Sequence, residues 1–336
     1  MWSTVKEFAL SKESEAREKF KLGNDAKGWQ FNYAKKDIIA SGPKKNNINN
    51  ILYRPFDNRF TYLTKKSSGF MSRPCIKVMA HFISDNNVGL CVTRHMRSGQ
   101  TWQHCFVSSN VAASGMISNR TGESGSLLPL YLNTKTLNLS PEIQQILTQT
   151  YKQPIESLAR PFFNYIYTIF HAPSFRTRYA EFLKQDFPRV QITPDKKLFF
   201  QLAKLGQELT DLHLLKGTEL KEGKTQFKDE GLLKNAPKIV SKVTYDSKSQ
   251  KVFINENHYF SSIDEETFQF QIGGYQVLHK WLKDRKGREL TSEDISHYIK
   301  VVESLKRTQK LMLKIDDVIL KAGGWPLVRE ELKKAA

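Results

Sequence analysis

The order in which hydrophobic periods follow one another constrains the fold of this chain more than any other feature. From Ile51 to Leu132 apolar residues fall in short runs bounded by polar turns, the texture of strands. From Pro141 to about Leu215 they recur at helical spacing, and from Leu232 to Ile272 short strand runs return. Blocks of strand, helix and strand exclude an all-α bundle and an all-β barrel and predict a mixed α/β fold, a β-sheet domain with a helical middle section. Ile155 to Phe170 is apolar nearly all round, which predicts a buried helix. Ser140 before Pro141, Ser174 after Pro173, and Thr193-Pro194-Asp195 are expected helix starts, the second helix presenting Arg176, Arg178 and Lys184 outward.

A long helix closes the chain. Thr291, with Asp294 three residues on, predicts its start as a capping box, and Gly323-Gly324 its stop near Lys321. Ile295, Tyr298, Val302, Leu305, Met312 and Ile319 keep a near-heptad stripe that Gln309 and Asp316 interrupt. Such a helix serves equally as a spacer or dock for a partner domain and as a strut packed on the protein's own body. The expected division is 1–50 as a linker and helical junction, 51–290 as the α/β domain, and 291–336 as the terminal helical element. Gly23 to Asn50 is rich in Gly, Asn and Lys, and Ser41-Gly42-Pro43, flanked by Lys35-Lys36 and Lys44-Lys45, reads as a loop or linker.

Charge narrows the partner. Fifty-two Lys and Arg oppose 34 Asp and Glu, a formal net charge of +18, which suits a polyanion, and nucleic acid is the commonest soluble one. No apolar run approaches the ~20 residues that span a bilayer, and the first twenty residues lack a signal-peptide core, so the cytoplasm is the expected location. Cys75, Cys91 and Cys105 show no paired spacing and are expected reduced and mostly buried, with no metal site.

Three stretches concentrate side chains that suit nucleic acid. Tyr53, Phe56, Phe60 and Tyr62 interleave with Arg54, Asp57, Asn58 and Arg59; rings stack on bases and cations hold phosphate, while the plainer alternative is that Arg54 and Arg59 pair with Asp57 to hold a turn. Val88 to Val92 reads as a core strand and Phe106-Val107 as its return. The connection between them carries Arg94, His95, Arg97, Gln100, Trp102, Gln103 and His104, the types that hydrogen-bond guanine and adenine edges, and these are the candidate base readers; an ordinary polar hairpin is the alternative.

The third stretch is QIGGYQVLHKWLKDRKGR from Gln271. Alternation from Phe268 to Ile272 predicts a strand, Gly273-Gly274 a sharp corner, and Tyr275, Leu278, Trp281 and Leu282 a helix with one apolar face. Its exit gathers Lys280, Lys283, Arg285, Lys286 and Arg288. Together with Lys65, Lys66, Arg73 and Arg120 these are the candidate phosphate contacts; cations placed at a helix C-terminus are the simpler reading of the same cluster.

Catalytic motifs are missing: no phosphate loop, no H-E-x-x-H, no G-x-S-x-G and no Asn-Pro-Pro-aromatic methyltransferase motif. Pro194-Asp195 with Glu219-Leu220-Lys221 matches the spelling of a metal-dependent nuclease, in which carboxylates and lysine converge on a metal from adjoining strands. Here the intervening stretch is helical, so the nuclease using Asp195, Glu219 and Lys221 stands as an alternative only. A protein-interaction scaffold is a further one.

The segments IGGYQVLHKWLKDRKGR, YRPFDNRFTYLT from Tyr53, RPCIKVMAHF from Arg73, YIYTIFHAPSFRTRYAEFLKQDFPRV from Tyr165 and GGWP from Gly323 resemble the C-terminal target-recognition (specificity) region of Type ISP restriction-modification enzymes. Those are single-chain proteins of phage defence that join nuclease, helicase, adenine methyltransferase and target-recognition parts. The resemblance covers nearly the whole chain. It implies a non-catalytic reader of double-stranded DNA that works with methyltransferase and helicase-nuclease parts, S-adenosylmethionine, ATP and magnesium belonging to those other parts.

Overall fold

The structure, a computed structural model, describes residues 1–26, 28–83, 87–96, 101–120, 123–133, 136–217, 220, 222–230 and 236–327. Helices α1 (Trp2–Leu10), α2 (Glu13–Lys19) and α3 (Phe31–Ser41) open the chain. Val5, Phe8, Phe31 and Ile38 close over Tyr62, whose hydroxyl donates to the Gly42 carbonyl at 2.7 Å and accepts from Asn47 Nδ2 at 3.0 Å. Residues 23–50 therefore contain a packed helix, and the loop expected at Ser41-Gly42-Pro43 opens where α3 ends and is clamped by Tyr62.

Strand β1 (Ile48–Arg54) pairs antiparallel with β2 (Asp57–Tyr62). After the short helix α4 (Ile76–Met79) come β3 (Gly89–Thr93), β4 (Cys105–Ser108), β5 (Val111–Ala112) and β6 (Gly125–Pro129). They complete two three-stranded sheets, ordered β2-β1-β5 and β4-β3-β6. The unbroken apolar run of β3 is buried on both faces: Leu90 and Val92 enter one core, and Cys91, with Phe106 of β4, enters a second.

The middle of the chain forms α5 (Pro141–Tyr151), α6 (Ile155–His171), α7 (Pro173–Arg178), α8 (Ala180–Gln185) and α9 (Lys196–His213). Ser140 Oγ accepts from Ile143 N at 3.4 Å, and Asp195 Oδ1 accepts from Lys197 N and Leu198 N at 2.8 and 3.1 Å, so both act as expected caps. Helices α6 and α9 approach closely where Gly206 sits, since a Cβ there would lie 2.0 Å from the Asn164 carbonyl oxygen. Two expectations on α7 are corrected. Arg176 is buried and donates to the Phe170 carbonyl at 2.7 Å, and Ser174 lies inside the helix rather than capping it.

A four-stranded antiparallel sheet follows, β7 (Phe227–Asp229), β8 (Thr244–Asp246), β9 (Lys251–Phe253) and β10 (His258–Phe260), in the order β7-β10-β9-β8. Then come α10 (Glu265–Gln269), β11 (Gln271–Ile272), β12 (Tyr275–Gln276) and α11 (Val277–Lys283). The strand expected over Phe268 to Ile272 is thus reduced to its last two residues. Asp264 accounts for this: its Oδ1 accepts from Thr267 N at 2.8 Å and starts a helix through Gln269.

Helix α12 (Ser292–Lys321) begins with the expected capping box, Thr291 Oγ1 accepting from Asp294 N and Asp294 Oδ2 from Thr291 N, both at 3.1 Å. Of its two possible roles the structure has the strut. Tyr298, Val302 and Leu305 enter the core that holds Cys91, and Ile315 and Ile319 enter the one that holds Leu90. Both polar interruptions of the stripe have partners: Gln309 Oε1 accepts from Thr267 Oγ1 at 3.0 Å, and Asp316 accepts from Ser174 Oγ and N at 2.6 and 3.0 Å. Beyond Gly323-Gly324, Trp325 Nε1 donates to Ser174 Oγ at 2.8 Å. Among the described residues no helix is long and apolar enough to cross a membrane.

Candidate nucleic-acid interface

The Gly273-Gly274 corner joins β11 to β12, with Gln271 opposite Gln276 and Ile272 opposite Tyr275. Gly273 has φ +58, and a Cβ on it would lie 2.1 Å from the Ile117 carbonyl oxygen; both the turn and the close approach require glycine. Freed of a side chain, the corner donates Gly273 N to the Gln103 carbonyl at 2.8 Å and Gly274 N to the Ile117 carbonyl at 3.0 Å. The β3–β4 connection therefore touches the stretch that leads into α11.

The connection divides into an outward and an inward set. Arg94 is exposed and pairs with Asp186 at 3.0 Å, His95 is exposed, and Gln103 is half-buried. Trp102 and His104 are each only 1% exposed. Trp102 packs edge-on against Phe170 at 5.6 Å, and His104 Nε2 lies 3.4 Å from Glu123 Oε2. Burial pushes the His104 pKa down against the opposing pull of Glu123. Both side chains therefore lie in the interior, whereas the sequence placed them on an outward-facing connection. Arg97 and Gln100 lie outside the described residues.

The cations divide in the same way. Lys65, Lys66, Arg73, Arg120, Lys283, Lys286 and Arg288 are exposed. Lys66 Nζ stands 4.0 Å from Asp37, and Arg288 lies 3.9 Å from Asp294. Lys280 pairs with Asp284 one turn on. Arg285 departs from expectation: it is buried, stacks on Trp281 at 3.4 Å, and donates to Asp57 at 3.1 Å. Asp57 also receives Arg59 at 2.8 Å. Burial alone would raise the Asp57 pKa; the two guanidiniums outweigh it and hold the carboxyl below its ordinary range.

Of the two arginines expected to pair with Asp57, Arg59 does so. Arg54 instead donates to the Gly115 carbonyl at 2.9 Å. The Tyr53 ring lies between the Arg54 and Arg59 guanidiniums, at 4.0 and 3.8 Å, and Arg54 also stands 5.0 Å from the Tyr275 ring. Lys280 Nζ is 5.9 Å from that same ring. Tyr53, Arg54, Arg59, Tyr275 and Lys280 thus form one group of rings and cations drawn from the first hairpin, β12 and α11. The aromatic and basic alternation after Tyr53 signalled half of this group, and Tyr275 joins it only through tertiary contact.

The nuclease alternative finds no support at Asp195, whose carboxylate caps α9; Glu219 and Lys221 lie outside the described residues. Sequence reasoning also missed a cleft of about 520 Å³ between the β3–β4 connection, α10, β11 and α12.

A family model described as the Type ISP C-terminal specificity domain matches residues 1–314. No match is found among the curated proteins. Among solved structures the chain is similar to a nuclease-deletion mutant of the Type ISP restriction-modification enzyme LlaGI in complex with a DNA substrate mimic, at TM-score 0.57 and 16% identity, over 94% of this chain and 25% of that one. It is also similar to DrdV in a cryo-electron-microscopy complex with DNA, at 0.60 and 19%, over 95% and 32%. A third similar structure is the ATP-dependent Type ISP enzyme LlaBIII bound to DNA, at 0.59 and 15%, over 93% and 21%. The chain spans between about a fifth and a third of the length of these proteins, and at such identities the likeness is one of fold.

Proposed function

The chain belongs to the Type ISP C-terminal specificity domain family, and from that premise we propose that it reads a DNA target and positions the adenine methyltransferase of a restriction-modification enzyme on it. The solved proteins of similar fold were each captured with DNA, and this chain carries a formal net charge of +18. One contact carries the assignment of the surface. The hydrogen bond from Gly273 N to the Gln103 carbonyl, at 2.8 Å, brings the connection bearing Arg94, His95 and Gln103 against the segment that continues into α11, with Lys280 and Lys283, and its exit, with Lys286 and Arg288.

In this reading Arg94, His95 and Gln103, with Arg97 and Gln100 of the same connection, face base edges. The exposed lysines and arginines hold phosphates. Phosphate contacts position the duplex and base contacts specify it. The chain supplies recognition and no chemistry of its own: S-adenosylmethionine, ATP and magnesium serve the methyltransferase and helicase-nuclease parts, and the site of action is the cytoplasm.

The test is selection by the full chain from a duplex pool with a randomised core. Enrichment of one motif supports the reading. Binding of all duplexes alike, or no binding at low salt, overturns it, and the second result favours a protein-interaction scaffold.

A further inference from the structure

The cleft beside the corner differs in chemistry from the rest of the proposed DNA surface. Thr101, Gln103, Glu266, Gln269, Phe270, Gln271 and Gln309 line it, drawn from three stretches of the chain. Among the described residues the lining includes no lysine or arginine and one carboxylate, so these side chains offer phosphate no cation. Its amides, by contrast, each offer a donor and an acceptor side by side. That pairing matches the N6 amino group and N7 of adenine in the major groove, and a glutamate accepts from the N4 amino group of cytosine.

The frame around the cleft is rigid. Gln271 is held opposite Gln276 across the two-glycine turn, and Gln276 Nε2 fastens that turn to the Phe268 carbonyl at 2.8 Å. Gln269 is exposed at the end of α10, whose start Asp264 caps. Gln309 reaches the floor of the cleft from α12, its side-chain amide 3.0 Å from the Thr267 hydroxyl. Its Nε2 is closed off beneath the lining. The same short segment continues into α11, whose exposed Lys283 stands ready for the flanking phosphate.

We infer that this cleft reads adenine, with Gln269 and Gln271 as specificity-determining side chains. The inference rests on the target-reading function proposed above and moves part of the readout from the β3–β4 connection to the α10–β11 corner.

The experiment compares the full wild-type chain with Gln269→Ala and Gln271→Ala chains in selection from the randomised duplex pool, and measures each chain's affinity for random duplex. Gln269 is exposed and Gln271 half-buried, and thermal unfolding of each variant confirms that it folds. The expected result is a motif that loses its preference at one or two adenine positions, by a factor of roughly five to a hundred, with the other positions and random-duplex affinity kept. A wild-type chain that selects a motif alongside variants that select the same motif overturns the cleft assignment and leaves the function standing. Equal weakening on every sequence does so too, because it would make the glutamines general contacts. A wild-type chain with no motif at all overturns both.

Discussion

The Arg285 guanidinium reaches the Asp57 carboxylate at 3.1 Å across 228 positions of sequence. The two side chains are buried to 9% and 2% exposure, and the contact fastens the turn between β1 and β2 to the end of α11. The helix that carries the exposed lysines is therefore held by the first hairpin. Removing Arg285 leaves a buried carboxylate with Arg59 alone, and breaking such a pair costs about 3–5 kcal/mol. Arg285→Ala is expected to lower denaturant stability by that order, while Asp57→Asn combined with Arg285→Met recovers much of the loss. A double variant no more stable than Arg285→Ala would show that the pair does not act as a unit.

Acid sensitivity follows from a buried polar node. Thr308 Oγ1 donates to the Ser304 carbonyl at 2.8 Å, so it accepts from His213 Nε2 at 2.9 Å, and His213 Nδ1 accepts from the Tyr167 hydroxyl at 2.5 Å. Both ring nitrogens are engaged by the neutral imidazole. Burial, reinforced by the Arg176 charge, pushes the His213 pKa down to about 3, and His171 is lowered by the same two causes and by His213. With folded values below the unfolded one near 6.5, the unfolded chain binds more protons in between. Stability is complete above about pH 6.5 and is lost progressively as pH falls toward about 3. Denaturant titrations at stepped pH check this, and His213→Gln is expected to flatten the slope.

Gly273→Ala is expected to disturb the corner, because its φ of +58 and the Ile117 carbonyl oxygen 2.1 Å from a built Cβ leave an alanine nowhere to go. A loss of more than about 1 kcal/mol of stability, read by thermal unfolding, should accompany a weakened Gln103 contact. Gly287, with φ +77 and open space around it, is the control: Gly287→Ala carries the backbone strain without the clash and should lose less.

Arg94 separates recognition from stability. Its pair with Asp186 is between side chains 61% and 47% exposed, and such pairs contribute about 0–1 kcal/mol. Arg94→Ala should therefore unfold within about 1 kcal/mol of wild type yet lose preference at one base position in pool selection. Unchanged preference would remove Arg94 from the readers.

Local signals were the legible ones. Ser140, Asp195 and the Thr291–Asp294 box name helix starts through side chains that bond backbone within three residues. The apolar runs of β3 and α6 announce burial because nothing in them suits water. Contacts made across the fold left no such trace. Arg285 and Arg176 look like surface cations until Asp57 and the Phe170 carbonyl meet them, and Trp102 looks like part of an exposed connection until Phe170 packs against it. The glutamine cleft joins residues 103, 269, 271 and 309, and nothing in the local pattern around any of them ties it to the others. At Phe268–Ile272 the alternation was real, but the Asp264 cap claimed its first residues for a helix.

The central claim is that exposed cations around α11 grip a DNA backbone, and its most direct test is the salt dependence of duplex binding by the full chain. Affinity for random duplex, followed by fluorescence anisotropy across salt concentrations, should fall steeply and linearly on logarithmic axes. Replacing Lys283, Lys286 and Arg288 together by alanine should reduce that slope by about three. A triple variant with an unchanged slope would contradict the account.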